Sequence, residues 1–161
     1  GIDHTTLRLS GAYTAAIYKK FPNSPQPAEN NDLTSTQPFQ DVSGRTIAGA
    51  PRFTYNLGID YRHPVFVNKE FHTSLNVAYT SKWNSDAALS QYGIIEANYV
   101  ADFSFGPGRQ DKSFDVNFVV KNVFDDDTPQ SKTWTANGVS PIYTFVPAYP
   151  RWWGVVFSGK L

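Results

Sequence analysis

The chain has 161 residues and a mass of 18.0 kDa, the size of one domain, and neither Gly1 nor the residues after it read as a translation start or a signal peptide, so a mature protein or a piece of one is expected. Lys plus Arg number 14 and Asp plus Glu 14, which leaves no global field to recruit nucleic acid or an anionic bilayer surface. Cysteine is absent, excluding disulfide frameworks, thiolate zinc sites and cysteine nucleophiles, and a mean hydropathy of −0.39 with no run of about 18 apolar residues excludes a transmembrane helix but not membrane strands.

From Thr6 to Lys20, Leu7, Leu9, Tyr13, Ala15 and Ile17 alternate with Arg8, Ser10, Thr14 and Ala16. That period of two makes a strand with one apolar and one polar face. A Pro-, Asn-, Ser- and Gln-rich stretch from Phe21 to Pro51 follows, too long for a hairpin loop. Between Arg52 and Arg62, Phe53, Tyr55, Leu57, Ile59 and Tyr61 alternate with Thr54, Asn56, Gly58 and Asp60. After a short link, His63 to Glu70, the segment from Phe71 to Trp83 sets Leu75, Val77 and Tyr79 against His72, Ser74 and Asn76. Asn84 to Gly93 connects to Ile94–Phe105, where Ile95, Ala97, Tyr99, Ala101 and Phe103 oppose Glu96, Asn98, Asp102 and Ser104. The link from Gly106 to Ser113 carries Gly106-Pro107-Gly108 as a turn signal. Phe114 to Phe124 then opposes Val116, Phe118 and Val120 to Asp115, Asn117 and Lys121. A second long loop, Asp125 to Pro150, leads to Arg151–Leu161, where Trp153, Val155 and Phe157 face away from Gly154 and Ser158.

Six strands and no helix make the chain all-β. The connections alternate long and short, so the long ones gather at one end of the sheet, as in transmembrane β-barrels with short periplasmic turns and long extracellular loops. Strands of eleven or more residues exceed the five or six usual in a soluble sandwich and suffice to span a bilayer when tilted. The aromatic share is 16%, and rings collect near both strand ends: Phe53, Tyr55, Tyr79, Trp83, Tyr92, Phe124, Trp152 and Trp153 towards the long loops, Tyr61, Phe66, Phe71, Phe103, Phe105, Phe114 and Phe157 towards the short turns. Two girdles are expected of a membrane barrel. Six strands cannot close one alone, because open edges in hydrocarbon leave amides and carbonyls unpaired. The expected architecture is therefore a transmembrane antiparallel β-barrel to which these residues contribute six C-terminal strands.

Particular residues sharpen this. Thr6-Leu-Arg-Leu-Ser-Gly-Ala-Tyr-Thr-Ala, Gly49-Ala-Pro-Arg-Phe-Thr-Tyr-Asn-Leu-Gly-Ile-Asp-Tyr, Val120-Lys-Asn-Val-Phe-Asp-Asp and Pro150-Arg-Trp-Trp-Gly-Val-Val-Phe-Ser-Gly-Lys-Leu161 resemble, in order and spacing, the C-terminal strands of TonB-dependent outer-membrane receptors. The resemblance covers nearly the whole chain. It implies a 22-stranded barrel with a plugged lumen, with residues 1–161 its last six strands, in the outer membrane of a Gram-negative bacterium. The function it implies is ligand-gated import of a scarce bulky solute such as a siderophore, cobalamin or a glycan. A passive porin or structural outer-membrane barrel is the alternative. The implied partners are the remaining strands and the plug, lipid, an inner-membrane energy-transducing complex and the barrel-assembly machinery. Gly154, Phe157 and Leu161 keep the apolar rhythm of the terminal assembly signal, although such proteins commonly end in an aromatic residue and this one ends in Leu161.

Catalytic chemistry finds little footing. His4, His63 and His72 form no ligand or triad pattern, no Ser or Asp sits in a nucleophile elbow, and the Gly106-Pro107-Gly108 stretch has no helix behind it to hold a phosphate. Neither an enzyme nor a cofactor is expected, and Asp125, Asp126 and Asp127 read as a solvated strand end in preference to a calcium site. Parity assigns Arg8, Asn56, Asp60, Arg62, Glu96, Asp102, Asp115 and Lys121 to the lumen, where both signs of charge suit packing against a polar plug better than a one-sign selectivity ring. In the last long loop, Trp134 and Tyr143 are the candidate ligand contacts, offering stacking surfaces among small polar residues.

Overall fold

The computed structural model describes residues 3–30, 37–137 and 140–160, excepting the side chains of 28 and 134–141. Six long strands carry the fold: β1 Thr5–Tyr13, β2 Phe53–Phe66, β3 Lys69–Thr80, β4 Asn98–Arg109, β5 Phe114–Lys121 and β6 Trp152–Gly159. They form one antiparallel sheet in strict sequence order, the meander that alternating connections require. Among the described residues β1 and β6 are not paired with each other, so each presents a free edge.

Register makes alternation within strands coherent across them. Leu7 lies opposite Ile59, Ile59 opposite Leu75, Leu75 opposite Phe103, Phe103 opposite Val120, and Val120 opposite Trp153. Every residue in that row belongs to one face. A parallel row, Leu9, Leu57, Val77 and Ala101, lies beside it. Towards the long loops the same face ends in rings, with Tyr13 against Phe53 at 5.0 Å, Tyr55 against Tyr79 at 4.5 Å and Tyr79 against Tyr99 at 4.7 Å. Among the described residues nothing covers this face: Leu9 is 74% exposed, Trp153 71% and Phe157 72%.

Several boundaries differ from those the periodicity predicts. The ladder of β1 stops at Tyr13 instead of continuing to Lys20, because its partner strand begins only after Pro51, which has no N–H to give; beyond it only Ile17 and Thr46 make an isolated bridge. Strand β2 runs on through His63 to Phe66, past an irregularity between Pro64 and Phe66, and leaves Val67-Asn68 as the turn, with Asn68 at φ 56°. The Gly106-Pro107-Gly108 stretch is no turn; it lies within β4, and residues 110–113 turn the chain. Ile94–Ile95 pairs with Trp83–Asn84 in a small separate ladder, so β4 starts at Asn98 and Glu96 precedes it.

The most buried residues of the described chain lie largely outside the sheet. Val42, Leu89 and Ile95 are apolar and buried, Ser24 and Ser90 polar and buried, and all five belong to the connections at the long-loop end.

Candidate functional site

The face opposite the apolar one is polar and charge-paired. Arg8 meets Asp60 at 2.5 Å, with its guanidinium lying over Gly58, where a Cβ would come within 3.3 Å of Nε. Arg62 meets Glu70 at 2.6 Å, and Lys121 meets Asp102 at 2.7 Å. The Asp102 carboxylate also accepts the Asn122 N–H, and the Ser74 and Ser104 hydroxyls share a hydrogen bond of 2.8 Å. Of the residues assigned to one polar face from sequence, Arg8, Asn56, Asp60, Arg62, Asp102, Asp115 and Lys121 all lie in strands at positions of that parity. Glu96 does not join them; it pairs with Lys82 at 2.8 Å near the loops, and both side chains are largely exposed. Asn76, set against Leu75 and Val77 by the alternation, lies on the same face, opposite Gly58 and Asp102.

Near the short turns this face forms an open cleft of ≈ 370 Å³ around Asp60, His72, Arg109 and Asp115. His72 is buried, its Nδ1 has no hydrogen-bond partner among the described residues, and Asp115 Oδ2 stands 3.4 Å away. The turns below are tied together by Asp111, whose Oδ1 accepts the Ser113 hydroxyl and N–H and whose Oδ2 accepts the Asn68 amide. Those hydrogen bonds, Ser113's first, hold the Asp111 carboxyl down to about 2.

At the other end the three long connections lock into one layer. Glu29 is the knot: its carboxylate accepts the Ser90 hydroxyl, the Gln91 N–H at 2.9 Å and the Tyr143 hydroxyl at 2.5 Å. Partial burial pushes Glu29 up, but the hydrogen bonds from Tyr143, Ser90 and the backbone outweigh it and leave the carboxyl below its ordinary value. Burial and then the neighbouring Glu29 raise the Tyr143 hydroxyl. Ser85 donates to Lys132 O at 2.7 Å and accepts the Lys132 N–H, and Lys132 Nζ reaches Ile94 O. Tyr143 is therefore engaged with a neighbouring connection, through partners that composition could not have indicated. Trp134 pairs with Tyr143 in the antiparallel ladder of Ser131–Asn137 with Ser140–Val146, but its side chain lies outside the described residues, as does Leu161.

The base of the last connection is built on Asn122, buried and at φ 50°. Its amide nitrogen donates to Asp126 O and Tyr149 O, both at 2.9 Å, and its oxygen accepts the Asp126 N–H. Asp125 faces Arg151, and Asp126 accepts the Thr128 N–H. The three consecutive aspartates therefore do not converge, and no group of three or more metal-ligating side chains occurs among the described residues. Where this base meets the polar face lies a cavity of ≈ 310 Å³. Gly154 and Phe157, expected in a terminal signal, lie on opposite faces of β6, opposite Val119 and Val116.

Comparison with protein-family models, curated proteins and solved structures gives no match for this chain.

Proposed function

We propose that these residues form part of a larger outer-membrane β-barrel of the TonB-dependent receptor kind, which imports a scarce bulky solute in a ligand-gated, energy-driven way. One observation carries the reading: a continuous, uncovered apolar face lies directly behind a polar face whose charges are paired with each other. Such a sheet suits hydrocarbon on one side and a wet, plugged lumen on the other. The surface area agrees, since the chain exposes 11190 Å² where a compact monomer of this mass exposes about 8,000 Å². The excess of roughly 3,000 Å² has the size of an obligate interface, and the free edges of β1 and β6 call for further strands. On this reading the short turns are periplasmic and the locked layer of long connections is extracellular.

The test uses the polypeptide expressed from its own gene with whatever flanks these residues. Outer-membrane fractionation, heat-modifiable migration on gels and solute uptake abolished by collapsing the proton-motive force are expected. Recovery in a membrane-free fraction would overturn the barrel, and uptake indifferent to the proton-motive force would favour a passive porin.

A further inference from the structure

We infer that the cavity at the base of the last long connection is a subsite for a neutral sugar unit, and that the imported solute is a glycan. This rests on the outer-membrane reading and narrows it.

The walls are amphipathic in the way sugar rings require. Trp152 opens β6 opposite Lys121, so it stands on the polar face and not, as its neighbour Trp153 does, on the apolar one. Tyr149, 77% exposed, and Pro150 complete an apolar wall with Val100. Aromatic rings of this kind stack on the C–H faces of a pyranose, while its hydroxyls need donors and acceptors at the rim. Asn98, Thr128 and Gln130 line the same cavity, and none of their side-chain polar groups has a partner among the described residues. They are free to receive those hydroxyls.

Charge separates the candidate solutes. The one lysine in the lining, Lys121, is held by Asp102 at 2.7 Å, and the other lining carboxylate, Asp126, is occupied by the Thr128 N–H at 2.8 Å. An anionic ferric chelate would therefore enter without a free cation and lose its hydration uncompensated. A volume of ≈ 310 Å³ stands at the lower limit of about 300–1,000 Å³ for ligand pockets, room for one sugar unit. Asn122 ties both arms of the loop base together, so the wall is in place before a ligand arrives and little ordering entropy is lost on binding.

The experiment is calorimetric titration of the complete receptor, purified from outer membranes, with maltohexaose, cellohexaose, xylohexaose and chitohexaose, and in parallel with ferric enterobactin and cyanocobalamin. At least one hexasaccharide should bind. Tyr149→Ala and Trp152→Ala should each weaken it roughly tenfold, one stacking contact being of the order of 1.4 kcal/mol, whereas Trp152→Phe should stay within about threefold. Heat-modifiable migration of each variant reports assembly independently, and if Trp152→Ala does not assemble, Tyr149→Ala on the loop base decides. No binding by any hexasaccharide, binding that neither variant weakens, or binding of a chelate or cobalamin that Tyr149→Ala weakens would each overturn the sugar subsite while the barrel stands. Loss of heat-modifiability in the unaltered receptor would instead remove the barrel reading on which it depends.

Discussion

At Gly106 an added Cβ would fall 1.8 Å from Val116 O, a backbone atom that cannot step aside. The ladder between β4 and β5 pairs Phe105 with Phe118 and Gly108 with Asp115 and lapses between them, where Pro107 has no N–H to donate. The sequence Gly-Pro-Gly signals a turn because both residue types are commonest there, yet here glycine answers close strand approach and proline a gap in the ladder. Gly106→Ala should therefore cost about 2–3 kcal/mol or more in urea unfolding followed by heat-modifiability, whereas Gly154→Ala, whose Cβ would meet only Trp152 at 3.4 Å, should change it little. Asp111 gives a second outcome at this scale. Its carboxyl sits at about 2 against an ordinary 3.8, so the stability it contributes is full above pH 3.8 and is lost as pH falls through about 2. Hydrogen exchange at the Ser113 amide should be slower than in Asp111→Asn at pH 6, and the difference should vanish near pH 2.

Strands were legible because a sheet with one apolar and one polar face leaves a period of two that no tertiary contact has to correct. All six appear, and parity alone separates Trp152 from Trp153, which a count of rings near one end had placed in the same belt. Boundaries were less legible. Ile95, Glu96 and Ala97 continue the alternation of β4, but Ile95 is drawn into the loop layer and only 1% exposed, and alternation carries no record of which partner a residue chooses. The contacts from Glu29 to Ser90 and Tyr143 span distant segments and leave no local pattern. Removing one hydroxyl should loosen the whole layer: Tyr143→Phe deletes a charge-assisted hydrogen bond of about 1.5–3 kcal/mol and should speed limited proteolysis within residues 14–52. Because Glu29 is held below its ordinary value of 4.5, the protection exists above pH 4.5 and fades as pH falls below it, so wild type and variant should converge in acid. Within the sheet, Leu75→Arg on the apolar face should cost roughly 2–4 kcal/mol of membrane stability, and Asn56→Arg, on the other face, less; equal losses would mean that the faces are wrongly assigned to lipid and lumen.

For the molecule as a whole, where its packing lies matters more than how much there is. A water-soluble domain puts its apolar rows inside, yet here Val42, Leu89 and Ile95 are buried among the connections while Leu7, Leu9, Val155 and Phe157 stay exposed on the sheet. The layer of loops can hold its own shape, whereas the sheet depends on what covers it. Its weakest points are the outer edges of β1 and β6, where every second residue would hold an unpaired N–H and C=O at several kcal/mol each in hydrocarbon. If the proposed barrel is closed by other strands, those amides are paired and the edge strands are as protected as the centre. Hydrogen–deuterium exchange of the receptor in lipid nanodiscs should then show Thr5–Tyr13 and Trp152–Gly159 exchanging as slowly as Lys69–Thr80, which has a partner on both sides. An open sheet predicts a different pattern: alternate amides in the two outer strands exchange fast while Lys69–Thr80 stays protected. That pattern in nanodiscs would require another cover for the apolar face, because hydrocarbon cannot hold an unpaired edge.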